Sequence, residues 1–243
     1  MDIVYICRDG DNEELRYSIR SVMANLPHDN IWVVGGKPRW YSGNHISVPQ
    51  NWTKYENARN NMRAIVDSKE ISDNFILMND DFYVVKETKR LGTYHGGNIN
   101  KRLEELKIRY GRSSYLTLLM NTIKFVRSHG RRTILDYALH IPFKMNKEKL
   151  RPILDHHVSW RVAYGNINKI GGREVRLYKG ETLDVKLYLV RGQLKSVGKN
   201  TLSDRFWSSH DESFHFMLPK LQELFPEPSP YEKDYKSEDP GVA

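Results

Sequence analysis

Short apolar runs alternate with helix-like segments along the first half of the chain. The runs are DIVYIC (2–7), NIWVVGG (30–36), HISVP (45–49) and FILM (75–78). The segments 12–26 and 54–67 carry apolar residues three or four positions apart, which is the spacing of an amphipathic helix. Strands that alternate with helices in this way predict an α/β fold with a mostly parallel central sheet flanked by helices.

The second half of the chain lacks this regular alternation. Residues 98–137 predict a basic helical insertion, residues 173–190 include the strand-like EVRLY and VKLYLV, and FHFMLPKLQELF predicts a last helix despite Pro219. The stretch FPEPSPYEKDYKSEDPGVA holds four prolines and shows no apolar periodicity, which is typical of an extended or disordered segment. We therefore predict a single domain over residues 1–226, with the basic insertion inside it, and a tail over residues 227–243.

Basic residues are concentrated in the middle of the chain. The net charge is +8, and between Lys86 and Arg132 twelve Lys or Arg residues stand against three acidic ones. A cationic surface of this kind attracts nucleic acid, anionic polymers or acidic membranes. The alternative is a solvated helical surface that only keeps the protein soluble.

Cysteine content and hydropathy exclude several classes of protein. Cys7 is the only cysteine, which excludes a disulfide framework and argues against a cysteine-based zinc site. No apolar run approaches the roughly 18 residues of a membrane span. The first residues, MDIVYICRDGD, have the pattern of a strand rather than of a secretion signal. We expect a cytoplasmic protein with no membrane span and no evident obligate protein partner.

Two adjacent carboxylates interrupt the apolar stretch FILMNDDFYVVK. Asp80 and Asp81 follow four residues that are apolar on both faces of the predicted strand, and buried carboxylates need a counter-charge or exposure at the end of a strand. Mn²⁺ or Mg²⁺ held by one or both carboxylates, together with substrate phosphate oxygens, meets that need. A solvent-exposed strand end, ion-paired with an arginine, is the alternative.

Two further polar stretches border the predicted strands. The residues after the first strand that could receive a nucleotide are Arg8, Asp9 and Asp11. The alternative for this RDGD stretch is a plain turn, because the chain has neither a GxGxxG nor a Walker lysine motif. The helix that precedes the aspartates carries Asn57, Arg59 and Arg63. Arg59 and Arg63 share a face and could bind a diphosphate, with a solvated polar face as the alternative.

Five blocks of the chain, taken in order, resemble the Stealth proteins. The blocks are ELRYSIRSV, IWVVGGKPRWY, FILMNDDFYV, HIPF and LFPEPSPYE, and DIVYICRDGD is also similar to the first block of that family. Stealth proteins are sugar-phosphate transferases of capsule synthesis, related to the lysosomal-enzyme N-acetylglucosamine-1-phosphotransferase and, in their nucleotide-sugar core, to GT-A glycosyltransferases. The resemblance implies a GT-A-like fold, a nucleotide sugar as donor, with a UDP-sugar favoured, and a divalent metal.

The resemblance also implies roles for individual residues. Asp80 and Asp81 match the asparagine-aspartate-aspartate block of the family, with a metal and diphosphate role. His140 and Arg161 match a later block, and Asp211 matches the aspartate of the last catalytic block, where His210 replaces an asparagine. We expect Asp211 or His140 to be the general base, and Arg59, Arg63 or Arg161 to neutralise developing charge.

One departure from the family bears on the reaction. Where Stealth proteins have a glutamate upstream of the aspartates, this chain has Met62 followed by Arg63. The stretch NARNNMRAI resembles instead the asparagine- and arginine-containing helix of ordinary GT-A glycosyltransferases. This departure favours transfer of the sugar itself and leaves the use of a nucleotide sugar intact.

These observations together predict a metal-dependent transferase that moves a sugar from a nucleotide sugar to a hydroxyl of a polyanionic acceptor. DNA with hydroxymethylated bases is one acceptor, and an anionic glycan such as teichoic acid or a capsular chain is another. The compact chain suggests a phage or bacterial source, and a phage enzyme would act in the host cytoplasm. Sugar-1-phosphate transfer of the Stealth type is one alternative function, and a non-catalytic nucleic-acid-binding protein is the other.

Overall fold

The computed structural model describes residues 1–111, 113–175, 188–190, 193–195, 202, 204–209 and 211–233. The strands of these residues are β1 (Asp2–Cys7), β2 (Ile31–Gly35), β3 (Asn44–Ser47), β4 (Asn74–Asn79), β5 (Phe82–Val84), β6 (Tyr94–His95), β7 (Phe143–Asn146), β8 (Arg173–Glu174), β9 (Tyr188–Val190), β10 (Gln193–Lys195) and β11 (Phe206–Ser208). The helices are α1 (Glu13–Asn25), α2 (Lys54–Asp67), α3 (Ile99–Tyr110), α4 (Ser114–Ser128), α5 (Lys147–Leu150), α6 (Trp160–Ile167) and α7 (Phe214–Leu224), with a 3₁₀ turn at Arg151–Ile153.

A five-stranded sheet in the order β3-β2-β1-β4-β7 forms the centre of the molecule. The first four strands are parallel, and β7 pairs antiparallel with β4 at one edge. Helix α1 connects β1 to β2, and α2 connects β3 to β4, as the alternating pattern predicts. The predicted α/β class, with a mostly parallel central sheet and flanking helices, is confirmed.

Both faces of this sheet are buried, which explains why its strands are continuous apolar runs. Along β1, Val4 packs in the core that contains α2, α4 and α6, whereas Ile3 and Tyr5 pack in the opposite core, beneath α1. Strand β4 alternates in the same way, with Leu77 on the first side and Met78 on the other. Two-sided burial of this kind is characteristic of parallel sheets covered by helices.

Asp80 and Asp81 do not lie within one strand, contrary to what the long apolar stretch FILMNDDFYVVK suggested. Strand β4 ends at Asn79, Asp80 and Asp81 form a turn, and β5 leaves the main sheet to pair antiparallel with β11. The turn leaves both aspartates half-buried at the end of a strand instead of buried within one. Helix α1 then fixes β5 in its new direction, because the Ser21 side chain accepts a hydrogen bond from the Val84 amide at 3.0 Å.

The predicted basic insertion contains two helices, α3 and α4, and helical structure ends at Ser128. An isolated bridge joins Asn98, just before α3, to Leu135, which follows α4, and β7 comes next along the chain. Of the strand-like stretches predicted within 173–190, the structure gives strand to Arg173–Glu174 and Tyr188–Val190, and 176–187 lie outside the described residues. Among the described residues, no helix has the length and apolar character to cross a membrane.

Residues 226–233, here called the C-terminal strap, pack against the start of the chain. The Glu232 carboxylate accepts hydrogen bonds from Arg20 Nε at 2.8 Å and from the Ser229 amide at 2.8 Å. The Tyr231 ring stacks on Tyr41 with 5.9 Å between ring centroids. The strap therefore joins α1 to the loop after β2, and residues 234–243 of the predicted tail lie outside the described residues.

Candidate active site

The carboxyl ends of β1 and β4 lie side by side, because the two strands are parallel and Ile6 pairs with Asn79. The polar residues that follow these strands, Arg8 after β1 and Asp80 and Asp81 after β4, therefore meet at one edge of the sheet. Ligand sites in open α/β sheets form at this edge. The structure thus brings two of the predicted polar stretches together.

Asn12 links the aspartates to the start of α1. Its side-chain amide donates a hydrogen bond to Asp80 Oδ2 at 2.6 Å, and its Oδ1 accepts from the Leu15 amide at 3.0 Å, which caps the helix. Burial, followed by the neighbouring Asp81 carboxylate, raises the pKa of Asp80 above its usual range, while the Asn12 donor opposes that shift. A counter-charge beside Asp80 would reverse it.

Arg8 and Asp211 face each other across the same edge. The guanidinium donates from Nη1 and Nη2 to the two carboxylate oxygens at 3.2 and 3.1 Å. Both side chains are more than half exposed, at 62% and 65%, so ligands can reach them. The hydrogen bond to Asp211 raises the pKa of Arg8, with Asp80 and Glu14 adding to the effect. His210, next to Asp211, lies outside the described residues.

Glu14 is a buried carboxylate at this edge that was not among the predicted site residues. Ser209 Oγ donates a hydrogen bond to Glu14 Oε1 at 2.5 Å and lies 2.8 Å from the Tyr83 hydroxyl. The backbone amide of Ser209 donates to the Asp81 carbonyl at 3.1 Å. Burial, together with the nearby Asp81 and Asp80 carboxylates, raises the pKa of Glu14 to about 7, although the hydrogen bond from Ser209 opposes that rise. The network therefore holds a protonatable carboxyl group directly behind the aspartates.

The sequence does contain a signal for Glu14. Glu14 is the first of four polar residues that form a stripe at helical spacing along α1, beside the apolar face: Glu14, Ser18, Ser21 and Asn25. The last three all hydrogen bond to β5. A stripe of small polar residues next to an apolar face indicates a polar element packed on the helix, and here that element carries the turn of Asp80 and Asp81.

His140 lies behind the aspartate turn, and Arg161 supports it. The buried Arg161 donates from Nη1 to the carbonyls of Leu139 and Ile141 at 3.1 and 2.8 Å, on either side of His140. The Phe82 ring lies edge-on to the His140 ring at 5.7 Å and beneath the Arg161 guanidinium at 5.2 Å. Arg161 thus fixes the backbone that carries His140, next to the residue that follows Asp81.

The predicted diphosphate residues of α2 bond to other parts of the molecule. Asn57 closes the preceding turn, accepting from the Trp52 amide at 3.0 Å. Arg59 Nη2 lies 2.6 Å from His157 Nδ1, and Arg63 Nη2 lies 3.4 Å from Asp155 Oδ1. These contacts direct both arginines to the 155–157 loop.

The other two residues of the RDGD stretch differ in their surroundings. Asp11 is paired with Arg39, whose Nε donates to Asp11 Oδ2 at 2.9 Å. That hydrogen bond lowers the pKa of the Asp11 carboxyl. Asp9 is exposed in the turn after β1. Of the predicted nucleotide-binding residues, Arg8 and Asp80 therefore share the candidate site most directly.

The carboxylates at this edge fit one type of divalent-cation site. Within the described part of the chain, no group of three or more His, Cys, Asp or Glu residues is arranged to hold a metal. Asp80 and Asp81 are adjacent and half-buried, and Mg²⁺ is commonly held by one or two carboxylates with substrate phosphates and water as the other ligands. The donor set suits an ion that binds together with a diphosphate.

Comparisons with known proteins assign no family. No protein-family model and no curated protein matches the chain, so the Stealth membership is not confirmed. The crystal structure of an active-site mutant of LgtC aligns with 92% of this chain and 95% of its own, at 13% identity and a TM-score of 0.43. The apo form of the glycosyltransferase GlyE from Streptococcus pneumoniae TIGR4 aligns with 71% of this chain and 44% of its own, at 10% identity and a TM-score of 0.28.

Proposed function

We propose that this protein is a GT-A-type glycosyltransferase that moves a sugar from a nucleotide sugar to a hydroxyl of a polyanionic acceptor. The observation that carries the proposal is the pair of adjacent carboxylates, Asp80 and Asp81, at the carboxyl edge of β4, with Arg8 and Asp211 facing them. Carboxylates for a cation and a guanidinium for phosphate are the groups needed to bind a nucleoside diphosphate.

Asp80 and Asp81 would hold Mn²⁺ or Mg²⁺ with the diphosphate oxygens of a UDP-sugar. Such an ion supplies Lewis-acid stabilisation of the departing nucleoside diphosphate. Asn12 orients Asp80 through its amide. Glu14 and Ser209 support the Asp81 backbone from below.

Arg8 and Asp211 would separate when the donor binds. Each Asp211 oxygen accepts a hydrogen bond from Arg8, and a diphosphate offers the guanidinium a stronger bidentate partner. Engagement of Arg8 by the diphosphate would leave Asp211 able to accept the proton of the acceptor hydroxyl. His140, fixed by Arg161, is the second candidate for this role.

The test is donor binding and turnover in Asp80→Asn. We expect Mn²⁺ with a UDP-sugar to raise the melting temperature of the wild-type protein and to give slow hydrolysis of the donor. Asp80→Asn should lose the stabilisation and on the order of 100-fold or more in turnover, because it removes a cation ligand. Asp73→Asn is the matched control, since it removes the same charge at the opposite end of β4.

Equal donor response in Asp80→Asn and the wild type would overturn the proposal. So would the absence of any response across a panel of nucleotide sugars. If the protein then still bound polyanions, the alternative of a non-catalytic nucleic-acid-binding protein would hold.

The bond that breaks can be identified with one labelled substrate. A nucleotide sugar labelled in its β-phosphate leaves the label in the nucleoside diphosphate if the sugar alone moves. Label in the product means transfer of sugar-1-phosphate, the Stealth-type alternative. Met62, at the position of the family's glutamate, is fully buried in the core, which supports transfer of the sugar alone.

A further inference from the structure

Two groups of aromatic rings lie on the surface between α2 and α4. The Tyr55 and His157 rings meet edge to face at 6.4 Å, and Phe125 lies 4.3 Å from His156 on one side and 4.5 Å from His129 on the other. His156 and His157 are neighbours in the chain, so they join the two groups. These five residues are called the ring row. Its three histidines are exposed, and Tyr55 and Phe125 are half-buried.

Guanidinium groups border the α2 side of the ring row. Arg59 contacts His157 at 2.6 Å, and Arg63, one turn further along the helix, pairs with Asp155 at 3.4 Å. Arg151 follows near the end of α2, where Nη1 lies 2.5 Å from Asp67 Oδ1. The ion pairs of Arg63 and Arg151 are largely exposed, and exposed pairs of this kind exchange partners at little cost.

The ring row begins near the candidate active site. Helix α2 connects the parallel strands β3 and β4, so it runs antiparallel to them. Its first turn, which carries Tyr55, therefore lies toward the carboxyl edge of the sheet, where Asp80 and Asp81 are found. A long ligand on the ring row would reach toward that edge.

We propose that the ring row binds a single-stranded nucleic acid and directs it to the acceptor site. This inference rests on the proposed function for the transfer step, but the binding itself does not depend on it. Aromatic rings that stack on successive bases, next to cations that track the backbone, are the means by which proteins hold single strands. An anionic glycan offers charge to the arginines but no aromatic faces to five rings, so the nucleic acid is the better match.

The test is binding of a fluorescein-labelled single-stranded oligonucleotide of mixed sequence, measured by anisotropy without nucleotide sugar or metal. Phe125→Leu and His156→Ala should each weaken binding about ten-fold, the loss of roughly one stacked base. Phe216→Leu is the matched control, because Phe216 and His215 form an exposed ring pair, 3.8 Å apart, on α7. It should bind as the wild type does. His156 is exposed, so His156→Ala tests the row without disturbing the core.

Two further measurements identify the ligand. Arg59→Gln should weaken binding and lower the slope of log affinity against log salt, because one phosphate contact is lost. A duplex of the same sequence should bind less tightly than the single strand, since its bases are already stacked. Wild-type affinity in both Phe125→Leu and His156→Ala would overturn the proposal. Tighter, row-dependent binding of teichoic acid than of the oligonucleotide would overturn it as well.

The failure of this proposal can be told apart from failure of the proposed function. Asp80→Asn should bind the oligonucleotide as the wild type does while losing transfer. Row-dependent binding with no sugar transfer would leave the ring row standing and reject the transferase. Sugar transfer with no row-dependent binding would support the transferase and reject the ring row as a binding site.

Discussion

At the scale of single residues, two side chains connect parts of the candidate site that are distant in sequence. Asn12 joins the N-terminus of α1 to Asp80, and Ser209 joins Glu14 to the Asp81 backbone. Neither residue would be a ligand in the proposed reaction. Each determines where a carboxylate lies, so its replacement changes the geometry of the site without removing a charge from it.

Asn12→Asp should convert this connection into a repulsion. Aspartate caps a helix as well as asparagine does, but it would put a third carboxylate against Asp80 and remove the amide donor. We expect a loss of about 1–3 kcal/mol in the free energy of unfolding without metal, and a larger rise of melting temperature on adding Mn²⁺ than in the wild type. Differential scanning fluorimetry with and without Mn²⁺ measures both effects. Asn12→Ser, which keeps the cap without the added charge, is the control, and an equal Mn²⁺ response in all three proteins would contradict the expectation.

At the scale of elements, the ends of β1 and β2 approach closely beneath the candidate site. Gly35 has φ of +115°, and a β-carbon there would lie 2.2 Å from the Cys7 carbonyl and 2.6 Å from the Asn61 side chain. Only glycine allows this approach. The two strands can therefore deliver their following loops, including Arg8, to one edge.

Gly35→Ala should separate these strand ends. Gly10 has the same φ of +115° but open space around it, so Gly10→Ala measures the backbone strain alone, about 1–3 kcal/mol in the free energy of unfolding. Gly35→Ala should cost a further ~1–3 kcal/mol, because its new methyl group clashes with backbone. Urea denaturation of the two variants gives the difference. Equal losses would mean that the contact at Gly35 relaxes freely.

The sequence predicted elements well where the signals were local. Helix α2 spans the predicted 54–67, and α1 lies within the predicted 12–26, because apolar spacing acts within a few residues. The division between β4 and β5 was missed, since β5 is held by β11, more than a hundred residues later. Glu14 belongs to the polar stripe along α1, but its place in the site was missed because its partner, Ser209, is 195 residues away. Local patterns thus located Asp80 and Asp81, but long-range contacts determine what surrounds them.

At the scale of the whole molecule, the C-terminal strap closes the protein onto its first helix. The Glu232 and Arg20 side chains are only 5% and 10% exposed. Burial opposes ionisation of Glu232, but hydrogen bonds from Arg20 and the Ser229 amide outweigh it and lower the pKa of the carboxyl below its usual value. The strap is thus held by the negative charge of Glu232, which protonation at acid pH removes.

Glu232→Gln should lower the free energy of unfolding by about 3 kcal/mol at neutral pH, because it leaves the Arg20 charge without its partner. The folded-state pKa is depressed, so the stabilisation is complete above the unfolded value of about 4.3 and is lost as pH falls through the folded one. The difference in the free energy of unfolding between wild type and variant should therefore become smaller below about pH 4. Urea titrations at neutral and acid pH measure it, with the exposed Glu223→Gln as control. A gap that stays constant with pH would show that the strap is held by packing alone.

The pairing of Arg8 with Asp211 also has a consequence for how the protein is made. The partners are 203 residues apart, whereas every strand of the central sheet has been synthesised once β7 is complete. Translation adds about 5–20 residues each second, so a nascent chain holds a finished sheet for several seconds before Asp211 emerges. During that interval Arg8 and the two aspartates stand at the edge of the sheet without the carboxylate proposed to accept the proton. Catalytic competence would therefore arrive with the segment that carries Asp211, after the central sheet has formed.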